Sequence, residues 1–400
     1  MNAFQAAGLV SIAALFAVPA FAQSGAPSSG GAPAAPRPGH VFIIVLENEG
    51  YHITFDPNSP AVYLRQLAGR GALLQNYYGI GHNSLPNYIA MVSGQAPNPV
   101  TQSDCQNYAD FIQTGSAEDG QAVGTGCIYP PTISTIANQL QDSRLTWKGY
   151  MEDMGNDPAR EQAACGRPMK DDQGRDRTQQ AEKTDQYAAR HNPFVYFDSI
   201  VDDGANCAAH VVNFSALKSD LASESTTPNY VFITPNLCHD GHDEPCADGE
   251  PGGLVSADKF LSTAVPLIEA SPAYQHDGLL IVTFDESDIA ISYDPSTGQQ
   301  TYKGDVSACC GEKPAPNITP GSTVFGAPDR GPGIAGPGGG LIGAVLLSPF
   351  IAPGTVSTVP YNHYAMLRSI EDFFGLDHLG YAGQQSLNTF GQDIFTKPDR

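Results

Sequence analysis

Four runs of consecutive apolar residues stand out along this chain, and each is followed by residues able to carry chemistry. Val41-Phe42-Ile43-Ile44-Val45-Leu46 stops at Glu47-Asn48. Tyr230-Val231-Phe232-Ile233-Thr234 runs into Pro235-Asn236-Leu237-Cys238-His239-Asp240-Gly241-His242-Asp243. Leu279-Leu280-Ile281-Val282-Thr283-Phe284 meets Asp285-Glu286-Ser287-Asp288, and Ala344-Val345-Leu346-Leu347 is followed by a loop and then Asn362-His363-Tyr364. Runs that do not alternate with polar residues read as strands buried on both faces, hence a parallel sheet covered by helices. Helical spacing over 61–70, 84–91, 133–142, 257–270 and 363–374, with a further strand over 145–151, predicts an α/β protein. The expected architecture is a three-layer αβα sandwich with a mostly parallel central sheet. The charged stretch 153–190 reads as an excursion over the surface, and 288–340, rich in Gly, Pro, Ser and Asp, as a long loop or lid.

Parallel sheets collect ligands at the carboxyl ends of their strands. Glu47, Asn48, Asp285 and Glu286 would then meet at one edge, where mutual repulsion of the carboxylates calls for a cation. Either acidic pair alone would be an ordinary turn. The hard oxygen donors favour calcium, magnesium or manganese. Asp240, His242 and His363 add groups able to donate protons, and the His239-x-x-His242 spacing points to a second, histidine-bearing metal site suited to zinc or iron.

Gly81-His82-Asn83-Ser84-Leu85-Pro86-Asn87-Tyr88 supplies the nucleophile candidate. Ser84 is expected to cap a helix that holds Pro86 in its first turn, where proline is tolerated. Serine caps are common, but a helix N-terminus also stabilises negative charge on an alkoxide and on phosphate oxygens. The motif is not Gly-x-Ser-x-Gly, which argues against a nucleophile-elbow hydrolase.

Met1 to Ala22 carries no charged side chain, is apolar from Ala6 to Val18, and ends Ala20-Phe21-Ala22, as a secretory signal does; an uncleaved anchor is the alternative. Residues 23–39 form a Pro/Gly/Ala/Ser-rich tether, and a single domain spans 40–400. The expected location is secreted or periplasmic, with no stable membrane span after cleavage. Export makes the eight cysteines disulfide candidates. Pairing sequence neighbours gives Cys105–Cys127, Cys165–Cys207 and Cys238–Cys246. Cys309-Cys310 leave three outcomes open: a vicinal ring, bonds elsewhere, or free thiols. No Cys-x-x-Cys pair suggests zinc. The formal charge of −22 argues against nucleic acid as a partner. It also means that an anionic substrate could be drawn in only by a locally reversed field, from metal and histidines.

These motifs, in order from His40 to Leu379, resemble the secreted phosphoesterase family of the alkaline-phosphatase superfamily, which holds acid phosphatases, phosphatidylinositol-3-phosphatases and phosphatidylcholine-hydrolysing phospholipases C. The matching segments are Glu47-Asn48, His82 through Tyr88, Glu152-Asp153, Pro235-Asn236 with Asp240 and His242-Asp243, Thr283 through Glu286, and Asn362-His363-Tyr364. The resemblance implies that Ser84 is the nucleophile that becomes phosphorylated. It implies a metal held by Glu47, Asn48, Asp285, Glu286 and the Ser84 oxygen. His82, Asp240, His242 and His363 resemble the groups that contact phosphate or support its transfer. His239 departs from the pattern, since relatives often carry an amide or acid there. The implied activity is that of an exported phosphomonoesterase acting on a soluble ester or a phospholipid head group. A phospholipase C and a calcium-binding surface module without chemistry are the rivals. A sulfatase is disfavoured because Tyr88 follows Ser84-Leu85-Pro86-Asn87 where sulfatases carry arginine.

Overall fold

The computed structural model describes Met1 and residues 36–294, 296, 299–319 and 338–397. The expected signal and most of the expected tether fall outside the described residues; the sheet and the site belong to one compact unit, Ala35–Arg400.

Eight strands build the central sheet: β1 (His40–Leu46), β2 (Ala72–Leu74), β3 (Trp147–Met151), β4 (Val211–Asn213), β5 (Tyr230–Thr234), β6 (Gly278–Phe284), β7 (Ala344–Leu347) and β8 (Thr355–Ser357). Their order is β8-β2-β7-β6-β1-β5-β3-β4. β1 lies between β5 and β6, parallel to both, and every one of its residues is buried. That is the environment a continuous Val/Ile/Phe run selects. Helices cover both faces. One layer holds α1 (Val62–Arg70), α4 (Gly253–Glu269) and α5 (Pro272–Asp277); the other holds α2 (Ser84–Ser93), α3 (Ile136–Asp142) and α6 (His363–Phe374). The architecture is the expected three-layer α/β sandwich with a mostly parallel sheet.

Several expectations change in detail. β7 runs antiparallel to both neighbours, β6 and β2, so its carboxyl end faces away from the acidic edge. The chain reverses once more through β8, which is parallel to β2, before Tyr361-Asn362 deliver His363. An apolar run reports burial but not direction, because a strand buried on both faces looks the same read either way. α3 starts later than its spacing suggested. Thr135 caps it, with Asn138 N–H donating to the Thr135 hydroxyl at 3.4 Å and Thr135 N–H returning to Asn138 at 2.9 Å. Within 288–340 the chain forms a two-stranded antiparallel hairpin, Ile289–Asp294 with Gln299–Gly304; residues 320–337 lie outside the described set.

The excursion 153–190 is not wholly superficial. Arg160, Glu161, Asp176 and Asp185 are buried, and Arg160 pairs with Asp185 at 3.1 Å. The segment is tied down by Cys165–Cys207, and Cys105–Cys127, Cys238–Cys246 and Cys309–Cys310 are bridged as well. Low apolar content concealed this core because its interior contacts are ionic and covalent.

Glu371 on α6 is a buried carboxyl whose Oε1 accepts from Leu379 N–H at 2.9 Å, while Oε2 has no hydrogen-bond partner among the described residues. Burial pushes it up to about 9. The unfolded chain releases this proton near the ordinary glutamate value, whereas the folded chain keeps it to about pH 9. The folded state is therefore progressively penalised as pH rises between those limits. Glu371→Gln should raise Tm at pH 8 by about 2–4 °C, with the gain shrinking toward pH 5. Thermal denaturation at both pH values checks this; an equal gain at both would show that charge is not the cause.

Candidate active site

The site is built where β1 and β6 end. Leu46 and Phe284 are register partners, so Glu47 and Asp285 leave the sheet side by side. Asp285 N–H donates to Leu46 O at 2.9 Å, and Asp285 Oδ1 accepts from the backbone N–H groups of Asn48 (3.0 Å) and Glu286 (2.6 Å). Asn48 takes a positive φ of 51°, a conformation asparagine tolerates better than most residues.

α2 approaches from the side, and every residue of it is buried. Asn83, at φ 72°, is its cap; Ser84 is the first helical residue rather than the cap expected from its sequence context. Without a capping role, the Ser84 hydroxyl is free to point at the sheet, where it donates to Glu47 Oε2 at 2.7 Å. Asn87 fixes the turn that feeds the helix: its Oδ1 accepts from Ile80 N–H (2.7 Å) and Gly81 N–H (3.1 Å), while its amide donates to Gly81 O and Asn83 O. The Ser-x-Pro-Asn-Tyr signal thus encodes a rigid approach to one carboxylate.

Glu47, Asn48, Ser84 and Asp285 are brought together. Glu286 lies beside them, but its Oε2 is taken by His82 Nδ1, and His82 Nε2 faces Asp305 O at 2.7 Å. Burial opposes charge on His82, but the Glu286 carboxylate prevails and raises its pKa. In this arrangement His82 positions Glu286. His363 is fully engaged, with Nε2 on Asp285 O at 2.6 Å and Nδ1 facing the Tyr77 hydroxyl at 3.2 Å; burial holds its pKa down to about 4. It therefore braces the backbone of Asp285 from behind.

The second cluster divides. His239 pairs with Glu152 at 2.9 Å and stacks on Phe260, away from Asp240. His242 is half exposed beside Asp243 at 3.4 Å, though its backbone N–H donates to Asp240 Oδ1 at 3.0 Å. The two histidines do not share a centre as their spacing suggested: the His239 ring is engaged by Glu152, whereas that of His242 lies against Asp243. Groups of three or more metal-capable residues among the described residues centre here on Cys238, whose sulfur is bonded to Cys246 and so cannot ligate as a thiolate.

Two residues absent from the sequence reading occupy the place left open. His191 is buried with Nε2 3.2 Å from Glu47 Oε1 and Nδ1 3.6 Å from Asp240 Oδ2. Arg190 is also buried; burial opposes its charge, but Asp104, Glu47, Asp240 and Asp243 hold it firmly protonated. The available signal was Arg190-His191-Asn192-Pro193, basic residues immediately before the apolar run Phe194 to Phe197.

Burial first, and then the neighbouring Asp285, raise Glu47 well above the usual carboxylate range; burial and then Glu286 do the same to Asp285. Asn48 Oδ1 and Asp285 Oδ2 are buried with no hydrogen-bond partner among the described residues. An oxygen-rich pocket with orphaned acceptors and mutually repelling carboxyls fits a hard divalent cation.

The fold is thus an α/β sandwich with a serine hydroxyl aimed at carboxylates at the strand ends. Residues 53–377 match the family model of the Phosphoesterase family, and the chain belongs to that family. It is 28% identical over 339 residues to a probable acid phosphatase of Kluyveromyces lactis, covering 85% of this chain and 59% of that protein. It is 31% identical to a phosphate-repressible acid phosphatase of Penicillium chrysogenum over 58% of this chain and 45% of the relative. A phosphatidylinositol-3-phosphatase of Mycobacterium tuberculosis matches at 22% identity over 88% of this chain and 82% of its own length. The chain spans about half the length of the fungal acid phosphatases it matches. A protein of the alkaline phosphatase superfamily from Vibrio parahaemolyticus superposes with a TM-score of 0.47 at 12% identity, covering 90% of this chain and 74% of that one.

Proposed function

We propose that this chain is an exported, cation-dependent phosphomonoesterase that works through a phosphoserine at Ser84. The observation that carries the reading is the Ser84 hydroxyl donating to Glu47 Oε2 beside the orphaned oxygens of Asn48 and Asp285. Glu47, Asn48, Asp285 and the Ser84 oxygen would hold the cation, with Glu286 at its margin under the grip of His82. Bound there, a divalent cation lowers the pKa of a coordinated hydroxyl and neutralises charge on the phosphoryl oxygens.

The remaining chemistry is assigned to the chain's own residues. Ser84 attacks phosphorus in line, its proton leaving along the hydrogen bond to Glu47 Oε2. Arg190, buried and permanently charged, offsets the acidic surroundings that would otherwise repel the ester. His242, the half-exposed histidine of the second cluster, is suited to protonating the departing alcohol, and water then releases phosphate from Ser84. Export is supported by the four disulfides, which persist in oxidising compartments. No helix among the described residues is long and apolar enough to cross a membrane.

Kinetics on a phosphomonoester, a phosphoinositide and phosphatidylcholine, with and without chelator, test the reading. A terminal phosphate carries more charge than a diester and is better met by a cation plus proton donors. Catalytic efficiency should therefore be highest on a monoester, and chelation should abolish it. Greater efficiency on phosphatidylcholine with release of phosphocholine would replace the reading with a phospholipase C. Cation binding without turnover of any of the three would leave a binding module.

A further inference from the structure

Glu47 is held differently at its two oxygens. Oε2 receives the Ser84 hydroxyl at 2.7 Å and faces the Asn48 amide at 3.4 Å. Oε1 receives the Tyr88 hydroxyl at 2.8 Å and lies 3.2 Å from His191 Nε2. Ser84 and Tyr88 are four residues apart on one helix, so both project from the same face. That face delivers one hydroxyl to each oxygen of a single carboxylate. The Tyr88 and His191 rings stack with centroids 5.2 Å apart and planes 13° from parallel, so the two groups that reach Oε1 also brace each other.

A frame stands behind this pair. Asp240 Oδ2 faces His191 Nδ1 at 3.6 Å, Asp240 Oδ1 accepts from His242 N–H, and Asp240 O accepts from Glu47 N–H at 2.8 Å. Both His191 ring nitrogens and Asp240 Oδ2 are buried without a hydrogen-bond partner among the described residues. Buried polar atoms left in that state are costly, and a small rotation toward Glu47 Oε1 would satisfy the one N–H that a neutral imidazole can donate.

We infer that Tyr88 and His191 form a stacked clamp that fixes Glu47 through Oε1, so that Oε2 is presented to the cation and to Ser84. The inference rests on the proposed cation site and assigns Tyr88 and His191 as positioning residues that touch neither cation nor substrate. A glutamate has three rotatable bonds, and a freely turning carboxylate loses entropy each time it binds an ion; holding its far oxygen removes that cost before binding.

The test titrates Mn2+ alone into chelator-treated full-length protein by calorimetry, for wild type, Tyr88→Phe and His191→Gln, and records Tm in chelator. Tyr88→Phe removes one hydroxyl and leaves the stacked ring. It should bind Mn2+ roughly ten- to hundred-fold more weakly, the range typical when a ligand's supporting hydrogen bond is lost, with Tm in chelator within a few degrees of wild type. His191→Gln should weaken binding in the same direction. At saturating Mn2+ the kcat of Tyr88→Phe should recover toward wild type with KM for the ester unchanged, a pattern that general misfolding would not give. Folded Tyr88→Phe binding Mn2+ within about two-fold of wild type would overturn the clamp even if His191→Gln failed to fold. Wild-type protein that binds no Mn2+ would overturn the cation reading itself, and the clamp with it.

Discussion

Replacing Ser84 with alanine should lower phosphomonoesterase turnover by roughly three orders of magnitude or more while leaving the fold in place. The size of the effect follows from what Ser84 does in the proposed reaction: it forms the bond to phosphorus, and no neighbouring group among the described residues offers a substitute nucleophile of the same geometry. The fold should survive because Ser84 does not cap α2. Asn83 occupies that position, Asn87 secures the preceding turn, and Gly94 closes the helix in a left-handed conformation. Removing the hydroxyl leaves Glu47 Oε2 with one contact fewer but keeps Oε1 bound to Tyr88. The measurement is steady-state turnover alongside circular dichroism. Rapid acid quench of wild type with ester, followed by peptide mass analysis, should locate a phosphoryl group on Ser84. A folded Ser84→Ala variant with near-wild-type activity would end the nucleophile assignment.

Asp285→Ala should abolish stoichiometric cation binding, and Glu47→Ala should do the same. Each is the first residue beyond a buried parallel strand, and the register of β1 with β6 sets them next to each other with no freedom to separate. A cation that binds only the folded state stabilises it by about 2.7 kcal/mol at a hundred times its Kd. Wild type should show that gain as a cation-dependent rise in Tm, whereas Asp285→Ala should show almost none. Asp285 has the further task of fixing Asn48, whose backbone N–H it accepts, so its loss disturbs two proposed ligands together. Elemental analysis of purified variants with thermal melts in cation and in chelator reads both effects. Metal content equal to wild type in both variants would move the cation elsewhere.

Much of this molecule is legible in one dimension because its central strands are buried on both faces. A segment such as Val41 to Leu46 can be satisfied only in the middle of a covered sheet, and whatever follows it must emerge at an edge. That logic sets Glu47 and Asp285 at one edge of the sheet, where the register of β1 with β6 puts them side by side, and makes the helix opened by Ser84 a neighbour worth seeking. The cysteine pairs are readable for a similar reason: each of the three non-vicinal bridges joins sequence neighbours.

What the chain alone determined is therefore which segments are buried and which polar residues stand at their ends. The tertiary structure decided direction and aim. It turned β7 against its neighbours, so His363 arrives by way of β8 and braces Asp285 from behind. It separated His239 from His242 across one turn and brought to Glu47 both Arg190, the last residue of a stretch whose composition reads as surface, and His191, just beyond it. Burial of apolar residues is a property of each segment and survives as a pattern in its sequence. The direction of a strand and the aim of a polar side chain depend on hydrogen bonds and charges contributed by residues far away in the chain, and no local pattern carries them.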